Sequence, residues 1–274
     1  MSGVAMSNKK TLKINSGKVS TVLLPVLFGV LVIILWQSGI LHKVLKADTF
    51  TLPVPSRIIG IVSENMPSIL RNSAATIKVA FGGLILGSLL GYLLAMIATA
   101  FPKWGAGGLT IVSAFNAVPI IAIAPIMTNL TKDFSRDPNT RSMLAKMLVV
   151  MITCTVSMSI NAYRGFNELK PFSEDLMKSI AAKKSTVFFK LRVPNSIPYV
   201  FTALKVSVPG SVISAMVSEY FAEYIIGVGR QIRENIVLAQ YATAWAYIAA
   251  AFVIGVGLYI ILLIIEDLSL KGRR

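Results

Sequence analysis

Histidine and cysteine are almost missing from this chain: His42 and Cys154 stand alone among 274 residues. One cysteine excludes an intramolecular disulfide and any cysteine-based metal cluster, and one histidine removes most nucleophilic triads and histidine metal sites. Charge is scarce as well. Only 14% of residues are charged, against about 25% in an ordinary soluble domain, so there is too little polar surface to cover a water-soluble globule. Acid is the scarcer sign: 12 Asp and Glu face 27 Lys and Arg, a formal net charge of +15. A basic surface for nucleic acid needs a soluble face on which to display its charge. Here the basic residues fall between long apolar runs, which excludes a nucleic-acid partner and makes the chain an integral membrane protein.

What is abundant is apolar sequence, at 55% of residues with a mean hydropathy of +0.72. Crossing a bilayer takes about 20 helical residues with few charges. Five windows are free or nearly free of charge: Val19–Leu41, Val79–Phe101, Trp104–Leu130, Met147–Tyr163 and Asn235–Ile265. A sixth, about Pro198–Tyr220, carries only Lys205 and is expected to kink at Pro209-Gly210. The fold class is therefore all-α integral membrane with six transmembrane helices. The first span is too long for a cleavable signal and lacks a small-residue cleavage pattern after Trp36.

Cytoplasmic loops retain Lys and Arg. With six spans, the N-terminal tail, the second and fourth connections and the C-terminus share 15 basic residues, while the opposite side has 9. Both termini are expected in the cytoplasm of a cell inner membrane. Residues 1–18 read as a short disordered tail and 19–274 as the transmembrane domain.

The longest hydrophilic stretch, 164–193, lies on the predicted cytoplasmic side. Pro171 suits a first helical turn, with Glu174 and Asp175 at the positive end of the helix dipole. Leu176, Ile180, Val187, Phe188 and Leu191 recur at helical spacing with Lys178, Lys183, Lys184 and Lys190 between them, and Pro194 and Pro198 are expected to end the pattern. Periodicity alone allows an interfacial helix that binds anionic headgroups as readily as a docking helix.

The spacing is more specific. Asp175-Leu176-Met177, three residues, Ala181, nine residues and then Leu191-Arg192-Val193-Pro194 keep a register found in the last large cytoplasmic loop of one transporter family. Val54-Pro55-Ser56, Ala117-Val118-Pro119 through Ala124-Pro125, Tyr199–Lys205, Val217-Ser218-Glu219 and Gly227-Val228-Gly229 follow in the same shared order. In these features, which run from about Val54 to the C-terminus, the chain resembles the type I permeases of binding-protein-dependent ABC importers, in the branch of nitrate, sulfonate, taurine and thiamine-precursor permeases. It departs from them where Glu-Ala-Ala becomes Asp-Leu-Met, where the loop glycine becomes Ala181, and in the longer, more charged connection Thr131–Arg141.

The resemblance implies a permease subunit that forms half of a solute pathway. Its partners would be a second permease subunit, identical or similar, two ATP-binding subunits, an extracytoplasmic substrate-binding protein and membrane lipid. In that family the loop is a coupling helix seated in a cleft of the ATPase. Asp175, Leu176, Ile180, Ala181, Lys183, Lys184, Phe188, Leu191 and Pro194 are the expected coupling residues, with Leu176, Ile180, Phe188 and Leu191 as apolar anchors. No Gly-x4-Gly-Lys-[Ser/Thr] loop occurs in the chain, so ATP and Mg would sit on the partner and the chain itself is no enzyme.

Prolines interrupt the third and fifth expected spans, and freed carbonyls in lipid must meet protein or cavity water. Asn116, Pro119, Pro125, Ser157, Pro209 and Ser214 are the expected pathway residues. Glu219 reads as a gate residue or as the acid of an outer ion pair with Arg230 or Arg233. Gly83, Gly87 and Gly91 fall four apart, a smooth strip against which another helix can pack. Lys78 and Lys205 read as interfacial anchors, and His42 is expected in solvent. A self-contained secondary transporter or channel is the alternative, but it calls for internal repeats or a buried acid relay, and neither is evident.

Overall fold

The computed structural model describes residues 16–221 and 226–271, with side-chain surroundings from residue 23 onward. The basic tail before residue 16, Glu223, Arg273 and Arg274 lie outside the described residues.

Among the described residues the chain is helical with no strand. It begins with α1 (Ser16–Gln37), the short α2 (Ile40–Leu45) and α3 (Pro55–Glu64), followed by the long α4 (Met66–Ala100). Then come α5 (Pro102–Ala114), a 3₁₀ turn at Phe115–Ala117, α6 (Ile120–Leu130) and α7 (Pro138–Asn167). A loop helix α8 (Ser173–Ser179) precedes α9 (Lys184–Val187), which runs through a π-helical turn into α10 (Val193–Phe221). The chain closes with α11 (Val228–Val237) and α12 (Tyr241–Leu270). Proline opens α3, α4, α5 and α7 within the first two positions, where its missing N–H is not needed.

Four helices, α4, α7, α9–α10 and α12, are each long and apolar enough to cross a membrane. The α5–α6 pair makes a fifth span if its two arms, bent by 99° at Val118-Pro119, are taken together, and Leu23–Gln37 is a shorter apolar stretch within the 22-residue α1. The expected third span is therefore two helices with an elbow. Pro119 supplies it: the residue before a proline is driven out of the helical region, and Val118 has ψ 121°.

The fifth expected span differs in the other direction. Pro194 and Pro198 were expected to end the loop's helical pattern and Pro209-Gly210 to kink the span, yet helix continues from Lys184 to Phe221. The π-helical turn at Phe188–Arg192 accounts for Pro194. A proline ring clashes with the carbonyl four residues before it in an α-helix. Widening the turn so that the Val193 N–H bonds to the Phe188 carbonyl, five residues back, shifts that carbonyl row just ahead of the ring.

The bundle centres on α7, which packs along α4 on one side and α10 on the other, with α12 against α10 and α11. Gly83, Gly87 and Gly91 carry the α4–α7 contact. A Cβ on any of them would overlap the backbone carbonyl of Met147, Met151 or Thr155 respectively, one per turn of α7. Cys154 lies in the same core, and its Sγ approaches the Ser207 carbonyl of α10. Lys205, placed at an interface by sequence, pairs with Glu266 of α12 at 2.7 Å.

His42 is buried, not in solvent. The 46–54 segment folds back over α2, and a ring nitrogen of His42 lies 2.6 Å from the Leu52 carbonyl. The charged connection 131–137 is also anchored. Thr131 is buried and donates to the Met127 carbonyl at 2.9 Å, while Asp137 caps α7 by accepting from the Thr140 hydroxyl at 2.6 Å and its N–H at 3.0 Å. Led by the Thr140 hydroxyl, these bonds hold the Asp137 carboxyl below its ordinary pKa.

Candidate functional site

The 168–183 loop is shorter than the expected 164–193 stretch, because α7 runs on to Asn167 and α9 begins at Lys184. α8 starts at Ser173 rather than Pro171, since Phe172 preceding it is left-handed, at φ 62°. Glu174 and Asp175 do fall in the first turn. Asp175 bonds Lys178 at 3.1 Å on the exposed side. Leu176 and Ile180 are each 67% exposed and Phe172 is 81% exposed. Together they form an apolar tip that the bundle does not cover, beside exposed Lys183 and Lys184.

A brace ties this tip to the bundle. Glu174 is ion-paired with Arg192, and the same guanidinium donates to the Phe166 carbonyl and to Asn167 Oδ1, both at 2.9 Å. Asn195 donates to the Gly165 carbonyl at 2.7 Å and to that of Glu168 at 3.0 Å, and the Tyr199 hydroxyl donates to Glu168 at 3.0 Å. The end of α7, the start of α8 and the first turns of α10 thus form one hydrogen-bonded unit.

Two of the expected anchors sit elsewhere. Phe188 faces the bundle, with its ring 5.4 Å from that of Phe166 in a cluster with Met158, Ala162 and Ala203. Leu191 is half-buried and Pro194 lies within the helix. Helical periodicity identified the apolar face of 187–191 without showing that it turns inward. Phe172 was missed because it precedes the periodic run; its signal is an aromatic directly after Pro171, just before the helix.

Ala181 replaces the family glycine at a backbone position that glycine favours, with φ 49°. A left-handed alanine costs about 1–2 kcal/mol, while glycine adds about 0.4–1 kcal/mol of unfolded-state freedom. Ala181→Gly is therefore expected to tighten the loop slightly, measured as slower limited proteolysis between residues 168 and 183. Faster cleavage would contradict the strain argument.

At the opposite end of the bundle, Glu219 of α10 is fully buried. Its carboxylate accepts from Thr76 Oγ1 at 2.9 Å and from the Gly229 N–H at 2.9 Å. The Val228 N–H donates to Thr76 Oγ1 at 2.9 Å, and the Gly227 N–H donates to Asn72 Oδ1 at 3.0 Å. Three successive N–H groups at the start of α11 are thus held by α4 and α10, with a carboxylate at the positive helix end. Gly227 has φ 138°, and a Cβ there would strike the Glu219 carboxylate. Arg230 pairs with Glu234 at 2.8 Å, and Arg233 lies over the Tyr220 ring while donating to the Tyr220 carbonyl. The expected outer pair of Glu219 with Arg230 or Arg233 is replaced by this clasp because α11 presents backbone donors to the acid.

Of the expected pathway residues, Asn116, Pro119 and Pro125 are exposed around the α5–α6 elbow, and Ser157 and Pro209 are half-buried. Ser214 is buried in the α7–α10 seam with its hydroxyl 3.2 Å from that of Thr153, so it faces packing within this subunit.

Residues 87–272 match the family described as binding-protein-dependent transport system inner membrane component. The chain belongs to that family. It is the permease component of an ABC importer and a multi-pass membrane protein. Over 197 residues it is 26% identical to the formylaminopyrimidine transport permease protein ThiX of Halalkalibacterium halodurans, covering 72% of this chain and 74% of that protein. Over 85 residues it is 25% identical to the bicarbonate transport system permease protein CmpB of Synechocystis sp., covering 31% of this chain and 30% of the relative. A solved amino acid ABC transporter with histidines shares the fold, with a TM-score of 0.60 at 16% identity over 75% of this chain and 96% of that one. Family membership implies work with a binding protein and an ATPase.

Proposed function

We propose that this permease subunit docks a separate ATPase through the α8 tip and, with a second identical or similar subunit, encloses a solute pathway. The observation that carries the reading is the exposed Phe172, Leu176 and Ile180 tip braced through Arg192 to α7 and α10. An amphipathic helix laid into a groove is read from apolar anchors at this spacing, and exposed apolar patches of this kind mark interaction sites. Lys183 and Lys184 are rim contacts, and Asp175 and Ala181 set the helix start and the turn that follows it.

ATP and Mg bind the partner, two ATPase subunits serving two permease subunits. Residues 19–274 form the permease domain, with the basic tail 1–18 and the C-terminus in the cytoplasm, where Lys and Arg are concentrated. The Glu219 and α11 end then faces outward and receives the solute-loaded binding protein. Asn116, Pro119, Pro125, Ser157 and Pro209 lie along or beside the pathway. The uncharged character of these positions, exposed at the elbow and half-buried at Ser157 and Pro209, suits a solute that is passed on, with selection left largely to the binding protein.

Reconstitution tests this reading. Proteoliposomes holding the permease, its ATPase and the cognate binding protein are expected to accumulate solute only with ATP inside the compartment that the loop faces. Uptake unchanged by ATP, together with no ATPase retained on the tagged permease, would overturn it.

A further inference from the structure

Three acids and seven bases lie in residues 164–193. Each acid already has a cation of this chain beside it: Glu168 is 3.9 Å from Arg164, Asp175 is 3.1 Å from Lys178, and Glu174 is ion-paired with Arg192. Glu168 also accepts from the Tyr199 hydroxyl at 3.0 Å. Four bases are left over. Lys170, Lys183, Lys184 and Lys190 are all exposed, and none of them is in an ion pair among the described residues. The docking loop is thus apolar at its tip and positive around it, while its own acids are held within the subunit.

Beside the tip, a cleft of about 690 Å³ opens between α8–α9 and the turn that joins α4 to α5. Phe188 and Phe189 give it an apolar wall, and Lys178, Lys184 and Arg192 line it together with Glu174, the one acid lining it among the described residues. Glu174 is already engaged by Arg192, which leaves Lys184 as the cation turned to whatever enters. Anionic headgroups are the other negative surface that a basic cytoplasmic loop can meet. The length of α9–α10 argues against them. Lys184–Phe221 is one helix of 38 residues, about 57 Å long at 1.5 Å per residue, whereas a bilayer with its headgroups is about 40–45 Å thick. Only Phe221 follows the apolar window that ends at Tyr220, so the surplus length lies at the Lys184 end and carries the loop clear of the headgroups.

We infer that the ATPase surface receiving this loop is an apolar groove rimmed by carboxylates, so that the permease supplies the positive half of the interface and the ATPase the negative half. The inference rests on the docking reading proposed above and adds the chemistry of the partner to it. Leu176 and Ile180 enter the apolar floor of that groove, Lys183 and Lys184 meet acids on its rim, and an acidic side chain of the ATPase reaches Lys184 through the cleft. Complementary charge of this kind steers encounter and fixes partner choice. An ATPase with a basic groove would be rejected by the same four lysines.

The test uses the ATPase recovered on the tagged full-length permease, purified and titrated back onto the permease in phosphatidylcholine nanodiscs. Binding is measured at about 50 mM and about 500 mM salt, between which exposed charges pass from partly to almost fully screened. The parent is expected to bind more weakly as salt rises. Lys183→Glu with Lys184→Glu is expected to weaken binding by roughly tenfold or more at low salt and to bind better as salt rises, a slope of opposite sign that mere loss of packing does not produce. Lys183→Gln with Lys184→Gln should flatten the slope. Both lysines are exposed, and glutamate suits the positive end of α9, so the variants should fold. Lys132→Glu with Arg136→Glu, an equal change of charge in the 131–137 connection, should leave affinity and slope as in the parent. Parent binding indifferent to salt, parent-like binding by the Lys183 and Lys184 variants, or an equal loss in the control overturns the acidic groove. So does a loss seen only after phosphatidylglycerol is added to the nanodiscs, which would assign the lysines to headgroups. ATPase that binds without these signatures removes this inference alone, whereas no ATPase recovered on the parent removes the docking reading and this inference together.

Discussion

Leu176→Asp combined with Ile180→Asp is expected to abolish ATP-driven uptake while leaving the permease folded and inserted. Both side chains are two-thirds exposed and contribute little to the subunit's own core, so their loss is felt where a partner covers them. Burying a leucine or isoleucine contributes about 1.5–3 kcal/mol, so removing both anchors weakens docking by about 3–6 kcal/mol, roughly 10²- to 10⁴-fold. The measurement is ATPase retained on tagged permease, alongside the elution profile of the permease in detergent. Undiminished retention would remove α8 as the docking element. Phe188→Asp provides the contrast: its ring packs on Phe166 inside the bundle, so a carboxylate there should lower folded yield before docking can be assayed.

The two phenylalanine-rich ends of the loop show where sequence reading succeeds and where it stops. Long charge-poor windows revealed the spans because lipid imposes one requirement on every residue of a crossing helix, and the Gly83, Gly87 and Gly91 strip announced a close helix contact because only small residues permit one. The exposed apolar tip was legible in Leu176 and Ile180, which share a helical face. Phe188 shares that periodicity yet points the other way, because the helix is not continuous between them: α8 stops at Ser179, Ala181 is left-handed and α9 starts afresh at Lys184. Nothing local in the sequence announces that break, since alanine is a good helix former. His42 was placed in solvent because its partner is a backbone carbonyl ten residues away. Backbone partners leave no mark in composition. The Glu219 clasp was hidden for the same reason: two of its contacts are N–H groups of Gly227 and Gly229 acting on side chains more than 140 residues away in α4 or ten away in α10.

That clasp should be the most sensitive point of the opposite end. Glu219→Ala strips the acceptor from the Gly229 N–H in a fully buried place and leaves the Thr76 hydroxyl its bond to the Asn72 carbonyl at 3.3 Å. The orphaned N–H costs about 1–3 kcal/mol and the space left by the carboxyl about 1 kcal/mol more, so roughly 2–4 kcal/mol is lost from the attachment of α11. Glu219→Gln keeps the shape and one acceptor oxygen, and is expected to cost less than half as much. Gly227→Ala should resemble the alanine variant at Glu219, because its methyl group meets the carboxylate and its φ of 138° suits glycine alone. Hydrogen exchange distinguishes local from global failure: amides of 227–237 should lose protection by a factor of 10² or more in Glu219→Ala and Gly227→Ala, while the α4–α7 core around Gly87 keeps its own. Unchanged protection of α11 would show that helix packing alone seats it and that the carboxylate is dispensable. Because α11 is joined to the span that carries Ser214 and, through Thr76, to the helix packed along α7, loosening it disconnects the surface around α11 from the braced loop at the other end. Binding-protein-stimulated ATPase activity should therefore fall in these variants more steeply than basal activity.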